Sequence, residues 1–318
     1  MAMANDTERG RGGSRFNRSE LEKIWIRVTA DDRSAIEAVS KAHNLEFPQT
    51  LEGVGEDHDS LYISVKLVVP GGEEFRQETV VFAFNEKIVV TLEPPGYFAP
   101  FQKALSRFQR YPDHARSAYG VMRTLLHVMN DTATQSIELA SASLEAMNDQ
   151  IQRITRGYDE QGREIGVSDI SDTMVDLNEK EELISRCQEC QLLLARAARY
   201  LRMEVATCTD AELKGYVETL ISDIDGVKQH ASFEHEKVRY LQQSVMTSLN
   251  VKQNQIVKVF TIITAVFLPP SLIATFYGMN FSVMPELSWA YGFTSTIILT
   301  AAAALLPLIY IKHKGWLR

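Results

Sequence analysis

Two stretches of this chain are long and apolar enough to cross a membrane, and they lie close together near its C-terminal end. Val259 to Tyr277 is a run of 19 residues without a charge, and Leu287 to Ile311 is a second of 25. At about 1.5 Å per helical residue, either run covers the roughly 30 Å of bilayer hydrocarbon. The expected arrangement is a two-span hairpin with a very short outer connection. Lys252 and Lys258 flank the first run, and Lys312, His313, Lys314 and Arg318 follow the second. Glu286 is the one charge between them. Basic flanks mark the cytoplasmic side, so both termini are expected there, with the hairpin facing outward. Nothing at the N-terminus has the compact apolar core of a secretory signal, so about 255 soluble residues are expected to precede the membrane.

A net charge of -8 and the lack of a basic patch in the soluble part argue against a nucleic-acid partner. Three cysteines do not make a disulfide framework, which fits a reducing compartment. Cys187 and Cys190 form a C-x-x-C pair, but inside a helical pattern and without a second pair, so neither a zinc site nor a redox motif is expected. His230 and His235, five residues apart, fall on different helical faces.

The organisation predicted along the chain starts with a polar, disordered tail over residues 1–20. An α/β domain follows over 21–112. Trp25 to Val28 is a short apolar run, and Thr29-Ala-Asp-Asp32 reads as a capping-box start for a helix carrying Ile36, Val39 and Leu45. Leu61 to Val69 reads as a strand, and Thr79 to Phe84 and Lys87 to Glu93 as a hairpin turning at Asn85-Glu86. Over 113–254 glycine and proline become sparse and the apolar spacing turns helical. Val121, Leu125, Val128, Leu139, Leu144, Met147 and Ile151 mark one long helix, which a loop from Gly157 to Gly166 ends. Leu177, Ile184, Leu192 and Ala195 mark a second. A third starts near Asp210, and with no Pro or Gly between Val227 and Leu268 it is expected to run straight into the membrane. Residues 255–311 hold the two spans with an outward loop at 278–288, and 312–318 form a basic tail.

Within the first span, Thr261, Thr264, Leu268, Ser271, Thr275 and Gly278 step by three and four residues and so share one helical face, which Val257 and Asn254 extend inward. Small hydroxyls on one face line a water-filled path when several copies surround an axis. They also line dry helix contacts, where Ser and Thr bond the carbonyl one turn back. Pro269 and Pro270 fit either arrangement, because freed backbone groups are tolerated where water or neighbouring helices satisfy them. No Asp, Glu, His or Cys lies on this face. A metal ion there would meet only hydroxyls, carbonyls and the Asn280 amide oxygen, donors suited to hard cations. Mg²⁺ sheds water reluctantly, so neutral oxygens are better placed to bind its hydration shell than to strip it. A divalent ion gains about 4.6 kcal/mol per 100 mV, twice the single-charge figure. No phosphate loop is present, and neither ATP nor an organic cofactor is expected.

Tyr277-Gly278-Met279-Asn280-Phe281, followed by Met284-Pro285-Glu286-Leu287, with Phe267-Leu-Pro-Pro270 before it and Lys314-Gly-Trp-Leu317 at the end, resembles the CorA family of magnesium transport proteins. The resemblance covers residues 254–317 closely and the soluble part in plan. It implies a homopentamer with a cytoplasmic funnel in a bacterial inner membrane, the first span lining the pore and the second packed outside it. It implies Mg²⁺ as substrate, with Co²⁺ and Ni²⁺ carried less well. Gly278, Met279 and Asn280 would form the outer selectivity ring. Asn254, Val257, Thr264, Leu268 and Ser271 would line the pore, and Val257, Phe260 and Leu268 are the candidates for a hydrophobic constriction that gates by excluding water. Glu286 would either place a carboxylate ring at the outer mouth or stand as a solvated loop acid, and Lys312 to Lys314 would surround the inner mouth, although membrane orientation alone accounts for them. Closure by intracellular Mg²⁺ would draw on Asp223, Asp225, Glu218 and Glu234. Two other readings compete: a zinc transporter of the same superfamily, against which the intact Met279 argues, and a non-conducting membrane-anchored sensor or scaffold.

Overall fold

The computed structural model describes residues 16–45, 47, 54–57, 60–71, 75–158, 161–162, 164–280, 282 and 284–315. The chain divides into two compact units, Met1–Arg153 with Asp172–Gln243, and Ile154–Ser171 with Ser244–Arg318. Of the expected N-terminal tail, residues 1–15 lie outside the described part. Its end already belongs to helix α1 (Arg18–Ile24), which Asn17 caps by accepting from the Ser19 amide.

The first unit is built on a five-stranded sheet in the order β1-β5-β4-β3-β2. Strand β1 (Trp25–Thr29) pairs in parallel with β5 (Val89–Glu93). The others, β2 (Val54–Asp57), β3 (Ser60–Pro70) and β4 (Phe75–Phe84), form an antiparallel meander that ends in β5. The β4–β5 turn falls where Asn85 predicts it: the Asn85 carboxamide oxygen accepts from the amides of Lys87 and Ile88, a side-chain substitute for a backbone turn. On the β1–β5 pair, Arg27 grips Glu93 through two hydrogen bonds of 3.1 and 2.6 Å.

Residues alternate between two buried faces. Ile63, Val65, Leu67, Val80 and Phe82 join Trp25 and the helices α3 (Ala99–Arg110) and α4 (Ala118–Arg156) in the larger core. Tyr62, Ala83 and Val90 pack on Ile36 and Val39 of α2 (Arg33–His43) in a smaller one. Two expectations about α2 change. Asp32 is a simple N-cap to the Ala35 amide, since the third helical position holds no acid or amide side chain to complete a box. Leu45 lies beyond the helix, because Asn44 turns left-handed at φ 53° and drops Leu45 into the small core at 2% exposure. Helix α3 and strand β2 have no counterpart in the sequence reading. Phe101, Ala104 and Phe108 carry α3's apolar stripe.

Helix α4 has 39 residues, α5 (Val167–Ala206) 40 and α6 (Ala211–Tyr277) 67. Leu139 and Leu192 are half exposed, because neither falls on its helix's buried face. That face of α5 instead holds Leu177, Ile184, Cys187, Cys190 and Leu194. Burial pushes the Cys187 thiol up to about 12 and raises Cys190 likewise, so both stay protonated and inert. All three cysteines are free.

In the first unit α6 is buried along Val217, Leu220, Ile224, Ala231, Glu234, Val238 and Leu241, a seven-residue repeat that winds a helix left-handedly onto its partners. Glu234 is the charged member of this seam, at 2% exposure. Ser141 of α4 donates to its Oε1 at 2.9 Å, and Lys237 and His230 stand 3.5 and 3.6 Å away. The Ser141 hydrogen bond thus ties this buried acid of α6 to α4.

A second polar contact binds α6 to the start of α4. His114 stacks on Tyr111 and meets the Tyr216 ring edge-on, both at 5.5 Å. Its Nδ1 lies 3.4 Å from Arg123 Nη1, while Arg123 itself covers the face of Tyr216 at 4.8 Å. Burial, then the charges of Arg123 and Arg107, hold the imidazole below its usual 6.5, against weaker opposition from Asp113 and Glu212. His127 shifts the same way, also chiefly through burial, although Asp131 opposes it. A histidine with a lowered folded pKa contributes stability above its unfolded value that is lost as pH falls through 6.5 toward the folded value. Thermal stability of the first unit should therefore decline as the buffer is acidified from neutrality. His114→Asn should flatten that decline in a scan of melting temperature against pH.

Candidate functional site

In the second unit α6 runs through Pro269 and Pro270 without a break. Each proline lacks the N–H that would reach four residues back, so the carbonyls of Ala265 and Val266 lose their helical donors. After the helix, Pro285–Ser288 forms a 3-10 turn, and α7 (Gly292–His313) follows. The second apolar run thus begins five residues before its helix. The 22 residues of α7 still measure about 33 Å, enough to span the hydrocarbon. The most apolar stretches of α6 and α7 are 0% and 6% buried. The core helix of a soluble protein would be covered along such a stretch, so these two surfaces require lipid or other chains around them.

The two faces of α6 differ in chemistry. Ile262, Ala265, Val266, Pro269, Pro270, Ile273 and Tyr277 are half-buried. The opposite face carries every residue expected to line a path, and all are exposed: Asn254, Val257, Phe260, Thr261, Thr264, Leu268, Ser271 and Thr275. Its four hydroxyls all donate one turn back, Thr261 to the Val257 carbonyl, Thr264 to Phe260, Ser271 to Phe267 and Thr275 to Ser271, at 2.7 to 2.9 Å. With the proton committed to the backbone, each hydroxyl oxygen keeps an outward lone pair and offers no donor. The stripe is therefore a row of acceptors set among Val257, Phe260 and Leu268, which are 59–66% exposed.

Gly278 closes the helix, donating to the carbonyls of Ala274 and Thr275 at 3.0 and 3.2 Å. A Cβ there would lie 3.2 Å from the Ala274 oxygen, so glycine permits the close turn that carries Met279 and Asn280 past the helix end. Both are exposed, and the Asn280 carboxamide makes no hydrogen bond among the described residues. Phe281 and the side chain of Glu286 lie outside the described part, as do Trp316 to Arg318. Lys312, His313 and Lys314 are exposed at the end of α7.

The structure does not gather the four acids expected to sense Mg²⁺. Glu218 is exposed beside Arg202 at 3.9 Å, Asp223 is exposed, Asp225 is half-buried, and Glu234 is committed to Ser141 and Lys237. Among the described residues no three acidic, histidine or cysteine side chains converge on a metal position. Helix α7 carries a feature that no sequence motif marks. Its half-covered face carries small residues at Thr296, Thr300 and Ala303, a spacing that allows close helix approach, while Phe293, Ile298, Leu306 and Tyr310 face outward.

A sequence profile described as CorA-like Mg2+ transporter protein matches residues 21–313. The magnesium transport protein CorA of Salmonella typhimurium is 28% identical over 311 residues, covering 95% of this chain and 94% of that one. Its Escherichia coli K12 counterpart is 28% identical over 321 residues, covering 96% and 97%. In fold, the chain is similar to the complete CorA magnesium transporter of Methanocaldococcus jannaschii, with a TM-score of 0.67 at 17% identity over 92% of both chains. It is likewise similar to the full-length CmaX protein, with a TM-score of 0.66 at 15% identity over 96% and 94%.

Proposed function

The chain belongs to the family of CorA-like Mg²⁺ transporter proteins, and from that premise we propose that it is a homopentameric channel that admits Mg²⁺ down its electrochemical gradient. Five copies of α6 surround the path, α7 packs outside against lipid, and the hairpin faces outward. Co²⁺ and Ni²⁺ pass as lesser substrates. The observation that carries this reading is the acceptor stripe. The first-shell waters of a divalent ion point their hydrogens outward, and a wall of back-bonded hydroxyls receives those hydrogens without competing for the metal. Gly278, Met279 and Asn280 form the outer ring, and the Asn280 oxygens receive the hydrated ion. Val257, Phe260 and Leu268 supply apolar collars that close the path when it narrows enough to dewet. Glu286 adds negative field at the mouth.

Intracellular Mg²⁺ favours the closed state. Asp223 and Asp225 contribute to its site, in which the remaining ligands come from a neighbouring copy. Glu234 is a poorer ligand than its charge suggests, because a lysine ammonium already faces its free oxygen.

Thr264→Val tests the stripe, since it keeps the side-chain shape and removes one acceptor from every copy. Mg²⁺ uptake by reconstituted protein should fall several-fold, with assembly unchanged on size-exclusion chromatography. Full uptake by Thr264→Val would mean that the hydroxyls merely pack.

A further inference from the structure

Within the second unit, the connection between α4 and α5 folds back onto the part of α6 just before the membrane. Gly157 turns left-handed at φ 82°, the Ile165 amide donates to the Gly157 carbonyl at 3.0 Å, and Tyr158 bridges to Glu164. Glu164 in turn accepts a hydrogen bond from Lys252 of α6. Between this tip and α6 lies a cavity of about 210 Å³, lined by Arg156, Tyr158, Glu164, Ser248, Val251 and Lys252 among others.

Its depth and its lining both point to the membrane surface. Lys252 stands seven residues before Val259, where the charge-free run begins, and Gln255, also on the cavity wall, stands four before it. At about 1.5 Å per residue they lie about 10 and 6 Å short of the hydrocarbon. A bilayer about 40–45 Å thick encloses about 30 Å of hydrocarbon, which leaves about 5–8 Å of headgroup on each side. Gln255 therefore falls within the headgroup layer of the cytoplasmic leaflet and Lys252 at its inner edge. Lys252 neutralises Glu164, while Arg156 is exposed and has no ion pair among the described residues, so one positive charge is left over at the cavity. Beside it Tyr158, Val251 and Ile256 expose 59%, 52% and 40% of their surface. A base, an aromatic ring and aliphatic carbons together are what the bilayer interface favours.

We propose that this cavity holds the phosphate headgroup of an anionic phospholipid from the cytoplasmic leaflet. The Arg156 guanidinium takes the phosphate, because its planar fork meets two oxygens at once. Tyr158 and Val251 cover the glycerol region, and the acyl chains run on toward Val259, one turn beyond Gln255 and 55% exposed. A cavity of this size is smaller than the roughly 300 Å³ that encloses a whole drug-sized molecule, so the headgroup enters and the chains stay in the bilayer. The occupant is a lipid rather than free phosphate because a soluble anion would leave the ring and the aliphatic carbons bare. Bound there, the lipid ties the tip of the α4–α5 connection to the base of the first span. The proposal needs the membrane orientation given above and is independent of Mg²⁺ conduction.

The test follows the melting temperature of the full-length protein in neutral detergent while phosphatidylglycerol or phosphatidylcholine with identical acyl chains is added. A ligand of the folded state raises that temperature in proportion to its occupancy. Phosphatidylglycerol should reach half its effect at a concentration at least five-fold lower than phosphatidylcholine. Arg156→Gln should erase this preference, and Arg156→Lys, which keeps the charge without the fork, should fall between. Lys41→Gln, exposed on α2 in the other unit, should keep the preference in full. Equal half-effect concentrations for the two lipids on the unsubstituted protein would overturn the proposal. So would a preference that survives Arg156→Gln, which would place the anionic lipid elsewhere on the chain. Glycerol 1-phosphate that reproduces the phosphatidylglycerol shift would make this a site for soluble phosphate and overturn the lipid assignment.

Discussion

Asn280→Ala should leave the protein folded and assembled while lowering Mg²⁺ uptake by more than about tenfold. The expectation follows from where the residue sits and what it lacks. Gly278 ends the helix by bonding to Ala274 and Thr275, so Asn280 stands past the last turn, exposed, with a carboxamide that serves no bond among the described residues. Removing it therefore costs the fold almost nothing. In the proposed channel it removes an acceptor for the hydrated ion from every copy at once. A hydrogen bond to a charged partner contributes about 1.5–3 kcal/mol, and each 1.4 kcal/mol is about tenfold in occupancy, so losing even one effective contact accounts for the drop. Radiotracer or dye-detected uptake measures it, with circular dichroism and size exclusion as the controls for folding and assembly. Uptake within two-fold of the unsubstituted protein would remove Asn280 from the filter.

The largest stability effect is expected at the other end of the chain. Trp25 is 3% exposed, meets Phe101 edge-on at 5.3 Å and Phe108 at 5.9 Å, and donates its indole N–H to Thr91 Oγ1 at 3.0 Å. It thereby joins the first strand of the sheet to helix α3 and, through Thr91, to the adjacent strand β5. Trp25→Ala empties this hub, and removing a buried tryptophan costs about 3–5 kcal/mol. In a unit of this size that lowers the melting temperature by roughly 10 °C. Trp25→Phe keeps most of the ring contact but leaves the buried Thr91 hydroxyl without its donor, a smaller loss of about 1–3 kcal/mol. Thermal unfolding of the full-length protein in detergent should rank the native chain above Trp25→Phe and both above Trp25→Ala. Equal melting temperatures for native and Trp25→Ala would mean that the core does not depend on this contact.

The membrane face of α6 was legible because helical periodicity is local: hydroxyls three and four residues apart must share a face wherever the helix goes. The β4–β5 turn was legible for a similar reason, since Asn85 carries its own turn chemistry. What escaped the sequence depended on contacts between distant segments. Leu45 follows α2's apolar spacing, yet Asn44 ends the helix first and the sheet buries the leucine from outside it. Leu139 and Leu192 look like core residues but miss the seams that Leu144 and Leu194 occupy. Glu234 was expected among the regulatory acids, and only the approach of Ser141, 93 residues away, reveals it as a buried residue of the helix seam. Helix α3 was missed because its stripe of Phe101, Ala104 and Phe108 has too few apolar positions to stand out beside the strands before it. At the site, spacing gave the face and its hydroxyls. The commitment of each hydroxyl proton to the helix backbone, which leaves the stripe as acceptors only, required the geometry.

The proposed function requires that this chain itself conducts Mg²⁺ along α6. Its most direct test is Mg²⁺ entry into vesicles containing only the purified protein, with the interior potential set by a potassium gradient and valinomycin. Uptake should rise as the interior becomes more negative, as expected for a charge worth about 4.6 kcal/mol per 100 mV, and should need no nucleotide. Folded, oligomeric protein that admits no more Mg²⁺ than empty vesicles at any potential would contradict it.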